Sequence, residues 1–172
     1  GAVPNIFRFG DVITFAATAT DAEDGPLSPE NFSWWIAFVR PGNTHPAFGP
    51  ADGTSSIDFS IPSQGQGFSG PVYYRCFLTV TDSSGLSASG SFDIYPEKSN
   101  ITFDTVPSGL VIQVDGNTAR PTPFILDSLV NFNHVITVPI NQCLADTQYS
   151  FIEWSNGPST VQQIYNVPAE DS

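Results

Sequence analysis

From Tyr73 to Thr81 the chain alternates. Tyr74, Cys76, Leu78 and Val80 fall on one face, and Tyr73, Arg75, Phe77 and Thr79 on the other, the period of two that a pleated strand imposes. The same period runs through Val12–Thr20, with Ile13, Phe15, Ala17 and Ala19 together, and through Phe32–Val39, with Phe32, Trp34, Ile36 and Phe38 together. Ile57, Phe59 and Ile61 mark another strand, and Leu86–Ile94 one more. Turn-rich pieces separate them: Asp24-Gly25-Pro26, Pro41-Gly42-Asn43, Ala51-Asp52-Gly53, Gln64 to Gly70 and Ser83-Ser84-Gly85. No stretch sustains a helical period, so the chain reads as all-β.

Past Pro96-Glu97-Lys98-Ser99-Asn100, which reads as a hinge, a second block begins at Ile101. Its strand signals are Ile101–Phe103, Leu110–Val114, Phe124–Leu126, His134–Val138, Tyr149–Trp154 and Val161–Tyr165. Val114-Asp115-Gly116-Asn117 reads as a hairpin turn. The expected organisation is therefore two β-sandwich modules, 1–96 and 101–172. The first has the regular short strands and buried Trp of an immunoglobulin-like domain. The second is smaller.

Composition narrows the partners. Of 172 residues, only five are Lys or Arg against 17 Asp or Glu, a formal net charge of −12. Nucleic acid needs a basic surface, so it is excluded, and anionic lipid is disfavoured on the same ground. No run is apolar and long enough to span a membrane as a helix. The opening Gly1-Ala2-Val3-Pro4 reads as a trimmed start rather than a native one. Of the two cysteines, Cys76 sits among inward residues as a small apolar filler. Cys143 lies in the polar stretch Asn141–Thr147, which reads as a loop. A bridge between them would have to join a domain interior to a distant loop.

Three segments carry a resemblance: Gly10-Asp11-Val12-Ile13-Thr14-Phe15, Ala19-Thr20-Asp21-Ala22-Glu23-Asp24-Gly25 and Leu78 through Leu86 by way of Asp82-Ser83-Ser84-Gly85. They resemble the polycystic-kidney-disease (PKD-like) branch of immunoglobulin-like sandwiches. Val106-Pro107-Ser108-Gly109-Leu110, Val114-Asp115-Gly116 and Tyr149 through Gly157 are similar to the small β-module that follows such a domain in secreted bacterial proteins. The pair resembles the tail of extracellular sugar dehydrogenases of the glucose/sorbosone type and of some polysaccharide-active enzymes. The resemblance implies a secreted or cell-surface accessory part, monomeric, whose partner is a polysaccharide or a neighbouring catalytic domain. One departure touches chemistry: where such tails carry a histidine-rich run after the Trp strand, this chain has Val39 to Pro46 with one histidine, His45. A second lies at the end, where a further strand is expected after Pro168-Ala169-Glu170-Asp171 and the sequence stops at Ser172, so the last sheet is expected to be either incomplete or completed from outside this stretch.

Candidate chemistry is sparse. Nucleophilic catalysis needs an activated Ser, Cys or Thr beside a base. The only histidines, His45 and His134, adjoin no nucleophile motif, and the reading is non-enzymatic. Calcium is the expected cofactor if there is one: Asp21, Glu23 and Asp24 follow one strand and Asp82 follows another, and such loops emerge at one end of an immunoglobulin-like sandwich. Asp-Gly turns use the same residues simply to cap backbone amides. The outward face is the other candidate. Trp34 goes with the core set, so Trp35 points away, and with Tyr73, Arg75 and Phe77 it forms one surface. That surface suits docking against another protein domain, favoured by Val39 and Phe77, or a sugar platform of Trp35, Tyr73 and Arg75. A calcium-stiffened adhesin segment is the third possibility. Asn31-Phe32-Ser33 and Asn100-Ile101-Thr102 match the glycosylation sequon.

Overall fold

The computed structural model describes residues 5–62 and 67–172. The opening Gly1–Pro4 and residues 64–66 of the expected Gln64–Gly70 turn lie outside the described residues. The chain is all-β: its one helical element among the described residues is a short 3-10 turn, Pro29–Asn31. It forms two compact units, Gly1–Glu97 and Lys98–Ser172.

In the first unit the strands are β1 (Ile6–Phe7), β2 (Val12–Ala16), β3 (Thr20–Asp21), β4 (Gly25–Pro26), β5 (Phe32–Arg40), β6 (Asn43–Asp52), β7 (Ser56–Ser60), β8 (Tyr73–Thr81) and β9 (Ser87–Pro96). Five of them make one sheet in the order β1-β9-β8-β5-β6, while β2 pairs with β7 and β3 with β4. The inward residues of β2 and β7, Ile13, Phe15, Ile57 and Phe59, are buried, as are Phe32, Trp34, Ile36 and Phe38 of β5. Tyr74 of β8 is the hub of this core. Its ring lies 5.3 Å from Phe7, 4.9 Å from Phe38 and 4.9 Å from Phe59. Burial of this set removes apolar surface from water at roughly 25 cal/mol per Å², and aromatic edge contacts add to it.

β6 was not legible as a strand. Its sequence, Asn43 through Asp52, holds Pro46, Gly49 and Pro50 and reads as two turns. It forms the far edge of the sheet, where a residue without an N–H breaks no ladder. Its pairing with β5 slips twice: Trp34 faces Ala51 and Ile36 faces Phe48, so Gly49 and Pro50 together oppose Trp35, and Ala37 then faces Pro46, which leaves Ala47 as a further extra residue. Each slip is a β-bulge. Gly49 has φ +86, and a Cβ there would lie 2.7 Å from the Trp34 carbonyl oxygen and 3.1 Å from the Trp35 Cα. Only glycine fits.

The second unit holds β10 (Lys98–Phe103), β11 (Val111–Val114), β12 (Arg120–Pro121), β13 (Phe124–Leu129), β14 (Asn133–Thr137), β15 (Asn141–Leu144), β16 (Thr147–Ser150) and β17 (Gln162–Asn166). β12-β11-β14-β17 form one sheet, and β10–β13 and β15–β16 are separate pairs. Ile101, Phe103, Ile112, Phe124, Ile136, Val138 and Val167 close the core, with Phe151 and Trp154 packed on it. The turn at Val114–Asn117 has φ +53 at Asp115 and +70 at Gly116, closed by Asn117 N–H to the Val114 carbonyl at 3.0 Å, a type I′ geometry.

Three expectations shift here. The stretch read as a hinge is strand on both sides, β9 running to Pro96 and β10 starting at Lys98. The polar stretch read as a loop holds β15, whose hairpin turns at Ala145 with φ +51, a position without the usual Gly or Asn signal. The strand expected over Tyr149–Trp154 ends at Ser150.

Gly49→Ala is expected to destabilise the first unit by about 1–3 kcal/mol, because it combines a positive φ with a backbone clash. Urea unfolding monitored by tryptophan fluorescence checks this, with an exposed glycine such as Gly85 changed to Ala as the control for φ alone, since a Cβ at Gly85 meets open space.

Candidate functional site

Register decides what the five-stranded sheet shows to solvent. Trp35 on β5 faces Phe77 on β8, and Phe77 faces Ser91 on β9. The next outward row is Ala37, itself fully covered, with Arg75 and Asp93, and the one after it begins with Val39 and Tyr73, with Tyr95 beside Tyr73. In the other direction lie Ser33, Thr79 and Ser89, then Thr81 and Ser87. Trp34 is 4% exposed and Trp35 38%, so adjacent tryptophans take opposite sides of one strand.

The outward side chains are organised in pairs. Trp35 and Phe77 stack with ring centroids 4.2 Å apart and planes 4° from parallel. Since they are cross-strand neighbours, the rings stand on edge with their normals pointing across the strands. One face of Trp35 is taken by Phe77. On its other side Trp35 is opposed by the Gly49–Pro50 bulge of β6. Tyr73 and Tyr95 form a second pair at 5.5 Å. Between the two pairs, Arg75 grips Asp93 with two parallel bonds, Nε to Oδ1 at 2.7 Å and Nη2 to Oδ2 at 2.8 Å, the bidentate geometry that makes such contacts strong. The Arg75 guanidinium lies 5.3 Å over the Tyr73 ring. The hydrogen bond from Arg75 holds the Asp93 carboxyl below its usual range, and that bond likewise raises Arg75. The hydroxyls of Thr79 and Ser89 meet at 2.9 Å, and those of Thr81 and Ser87 at 2.8 Å.

The acidic loops sit together at one end of the unit, bonded to each other. Asp21 Oδ1 accepts the Glu23 and Asp24 amides at 2.8 and 3.0 Å. Asp24 reaches across and accepts both the amide and the hydroxyl of Ser83, at 2.9 and 2.8 Å. Asp82 Oδ1 accepts the Ser84 amide and hydroxyl and the Leu86 amide, each at 2.8 Å. The backbone bonds from Asp24 and Glu23 lower Asp21, and the Ser84 hydroxyl lowers Asp82. Among the described residues no three Asp, Glu, His or Cys side chains converge as a metal-holding group. These oxygens are used as caps for two loops.

One constellation was invisible in the sequence. In the second unit His134 Nδ1 lies 2.6 Å from Asp115 Oδ2, and its Nε2 lies 2.7 Å from Ser128 Oγ. Asp115 Oδ1 also accepts the Val135 amide at 2.9 Å. The three residues belong to a turn, β13 and β14, and only folding joins them. The order matches a Ser-His-Asp relay, but the exposure runs the other way: the Ser128 residue is 5% exposed, whereas the Asp115 side chain is 37% exposed. A nucleophile must meet its substrate, and here it is the inner member. The relay ties β13 to β14 and satisfies a buried imidazole.

Both cysteines are free; Cys76 is buried and Cys143 exposed. Burial pushes the Cys76 thiol up to about 12. Of the two sequons, Asn31 donates its Nδ2 to the Thr81 carbonyl at 2.6 Å, while the Asn100 residue is exposed. Comparison of this chain with protein-family models, with curated proteins and with solved structures finds no match.

Two predictions follow from these bonds. Asp21 and Asp82 have folded pKa values below the ordinary 3.8. The support they give the loops is therefore present above about pH 4 and is lost as pH falls through the lowered values. Carbon-detected NMR titration should show both carboxyls titrating below the ordinary aspartate range, and two ordinary curves would contradict the capping role. Separately, Ser128→Ala should destabilise the second unit by about 1–3 kcal/mol, since it leaves His134 Nε2 buried and unpaired; chemical denaturation of the intact chain measures it.

Proposed function

We propose that this chain is a non-catalytic accessory part of a secreted or cell-surface carbohydrate-active or sugar-oxidising protein, and that the outward face of the five-stranded sheet is its targeting surface for polysaccharide. The observation that carries this reading is the stacked, half-exposed Trp35–Phe77 pair beside a second aromatic pair, an ion pair and rows of hydroxyls. The exposed edges of these rings offer apolar surface to the C–H groups of a sugar, while hydroxyls and a charged fork bind its oxygens.

An immunoglobulin-like reading of the first unit is supported by the sheet order β1-β9-β8-β5-β6, by the β2–β7 pair whose inward side chains meet it, and by the buried Trp34 on β5. The paired loops around Asp24 and Ser83 fit the PKD-like variant.

Docking against a catalytic domain is the competing use of the same face. It is the less favoured one for a physical reason. A dry protein contact would strip from the Arg75–Asp93 pair and the Ser and Thr rows the water that solvates them beyond their mutual bonds, and that desolvation is unfavourable. A glycan brings its own hydroxyls and keeps the surface wet.

Trp35→Ala is the test. Affinity electrophoresis through gels holding soluble polysaccharides should show retardation of the native chain, weakened about tenfold, or about 1.4 kcal/mol, in the variant. Circular dichroism would confirm an intact fold. A native chain that migrates freely through every glycan, or a Trp35→Ala chain retarded as strongly as the native one, would overturn the reading.

A further inference from the structure

The layout of the face also restricts the ligand, on the premise that the face binds glycan at all. The two aromatic pairs are separated along β8 by the four residue steps from Phe77 to Tyr73, which at about 3.4 Å per residue is roughly 14 Å. Midway lies the Arg75–Asp93 pair. A single sugar ring touches one aromatic pair only. A chain running along the strands meets Trp35–Phe77, the ion pair and Tyr73–Tyr95 in turn. Arg75 carries five N–H donors and gives two of them to Asp93. The remainder are the donors it has left for the oxygens of a ligand that passes between the aromatic pairs.

Charge restricts it further. The chain carries a formal −12, so an anionic polymer approaches against the field. Two of the three arginines of the first unit are paired with carboxylates, Arg8 with Glu97 at 2.7 Å and Arg75 with Asp93 at 2.7 Å, and the third, Arg40, lies on an inward position of β5, bonded to the Gly67 carbonyl at 3.1 Å and over the Phe38 ring. Carboxylated or sulfated glycans recruit unpaired Lys or Arg, and this face offers only an arginine already neutralised. We infer that the ligand of this face is an uncharged, extended polysaccharide that lies along β5 and β8 and spans both aromatic pairs, with Arg75–Asp93 as a polar stop between them.

The experiment uses the full chain and two variants, Trp35→Ala and Tyr73→Ala, each checked for native circular dichroism and melting temperature. The probes are neutral polymers (hydroxyethylated β-glucan, xylan, mannan), their charged counterparts (carboxymethyl β-glucan, polygalacturonate) and short fragments of whichever neutral polymer is retained. The expected result is retention by a neutral polymer, weakened about tenfold or more for the carboxymethylated form of the same backbone at low salt. Tyr73→Ala should weaken the long polymer severalfold yet leave the shortest fragments that still bind unchanged, since these engage Trp35–Phe77 alone. Equal or tighter retention by the carboxymethylated form overturns the neutral-ligand inference, and an unchanged Tyr73→Ala overturns the two-pair span. In both cases a weakened Trp35→Ala chain leaves the targeting face standing. Absence of binding to every probe instead removes the face reading itself, and this inference with it.

Discussion

The register between β5 and β8 is the constraint on which the first unit rests. Side chains alternate with a strict period of two, so a slip of one residue would drive Trp35 into the interior and expose Trp34. Two features pin the register. The Trp34 indole N–H donates to the Thr54 carbonyl at 2.8 Å, which satisfies the polar end of a buried ring and fits only one side of the strand. The bulge at Gly49–Pro50 then absorbs the mismatch with β6 beneath Trp35. Inward packing and outward chemistry are thus the same choice seen from two sides.

Much of this was legible because it is local. Alternation along Tyr73–Thr81 assigns each side chain to a face, and the same holds for Trp34 and Trp35, since a pleat leaves no third option. The Asp115-Gly116 turn was legible because both positions need positive φ. What stayed hidden was non-local or disguised. β6 was masked by prolines that an edge strand tolerates. Tyr95 and Asp93 came into the site only through pairing with β8, which no spacing announces. The contact of His134 with Ser128 and Asp115 joins three segments, and the sequence around each reads as an ordinary strand or turn. An Asp-Gly turn five residues beyond a strand start gives no hint that its carboxylate will hold an imidazole.

The acidic loops illustrate a degeneracy that sequence reading cannot resolve by residue type. Asp21, Asp24 and Asp82 are suited both to cations and to backbone amides, because each use asks for carboxylate oxygens at a turn. The hydrogen bonds show the capping use. Asp24 spends both oxygens on Ser83, and Asp21 and Asp82 each spend one on two or three donors. The result is a cross-brace between two loops fifty-nine residues apart in sequence. The neighbouring charge of Asp21 works against Asp82, and the amide and hydroxyl donors outweigh it, since Asp82 remains lowered.

An exposed aromatic surface usually signals an absent partner, yet this one is stable when wet. Trp35 and Phe77 shield each other's faces, so stacking already recovers part of the apolar burial that a partner would otherwise provide. Arg75 and Asp93 satisfy each other, and the Thr and Ser hydroxyls do the same. A surface whose groups are mutually satisfied does not need a permanent cover to fold. It can still exchange water for ligand hydroxyls at small net cost, because few of its hydrogen bonds must be broken first. Such a surface is pre-organised, and the entropy of ordering its side chains has been met in folding rather than in binding. On the targeting reading proposed above, that combination favours repeated, reversible contact along a polymer over a single obligate interface.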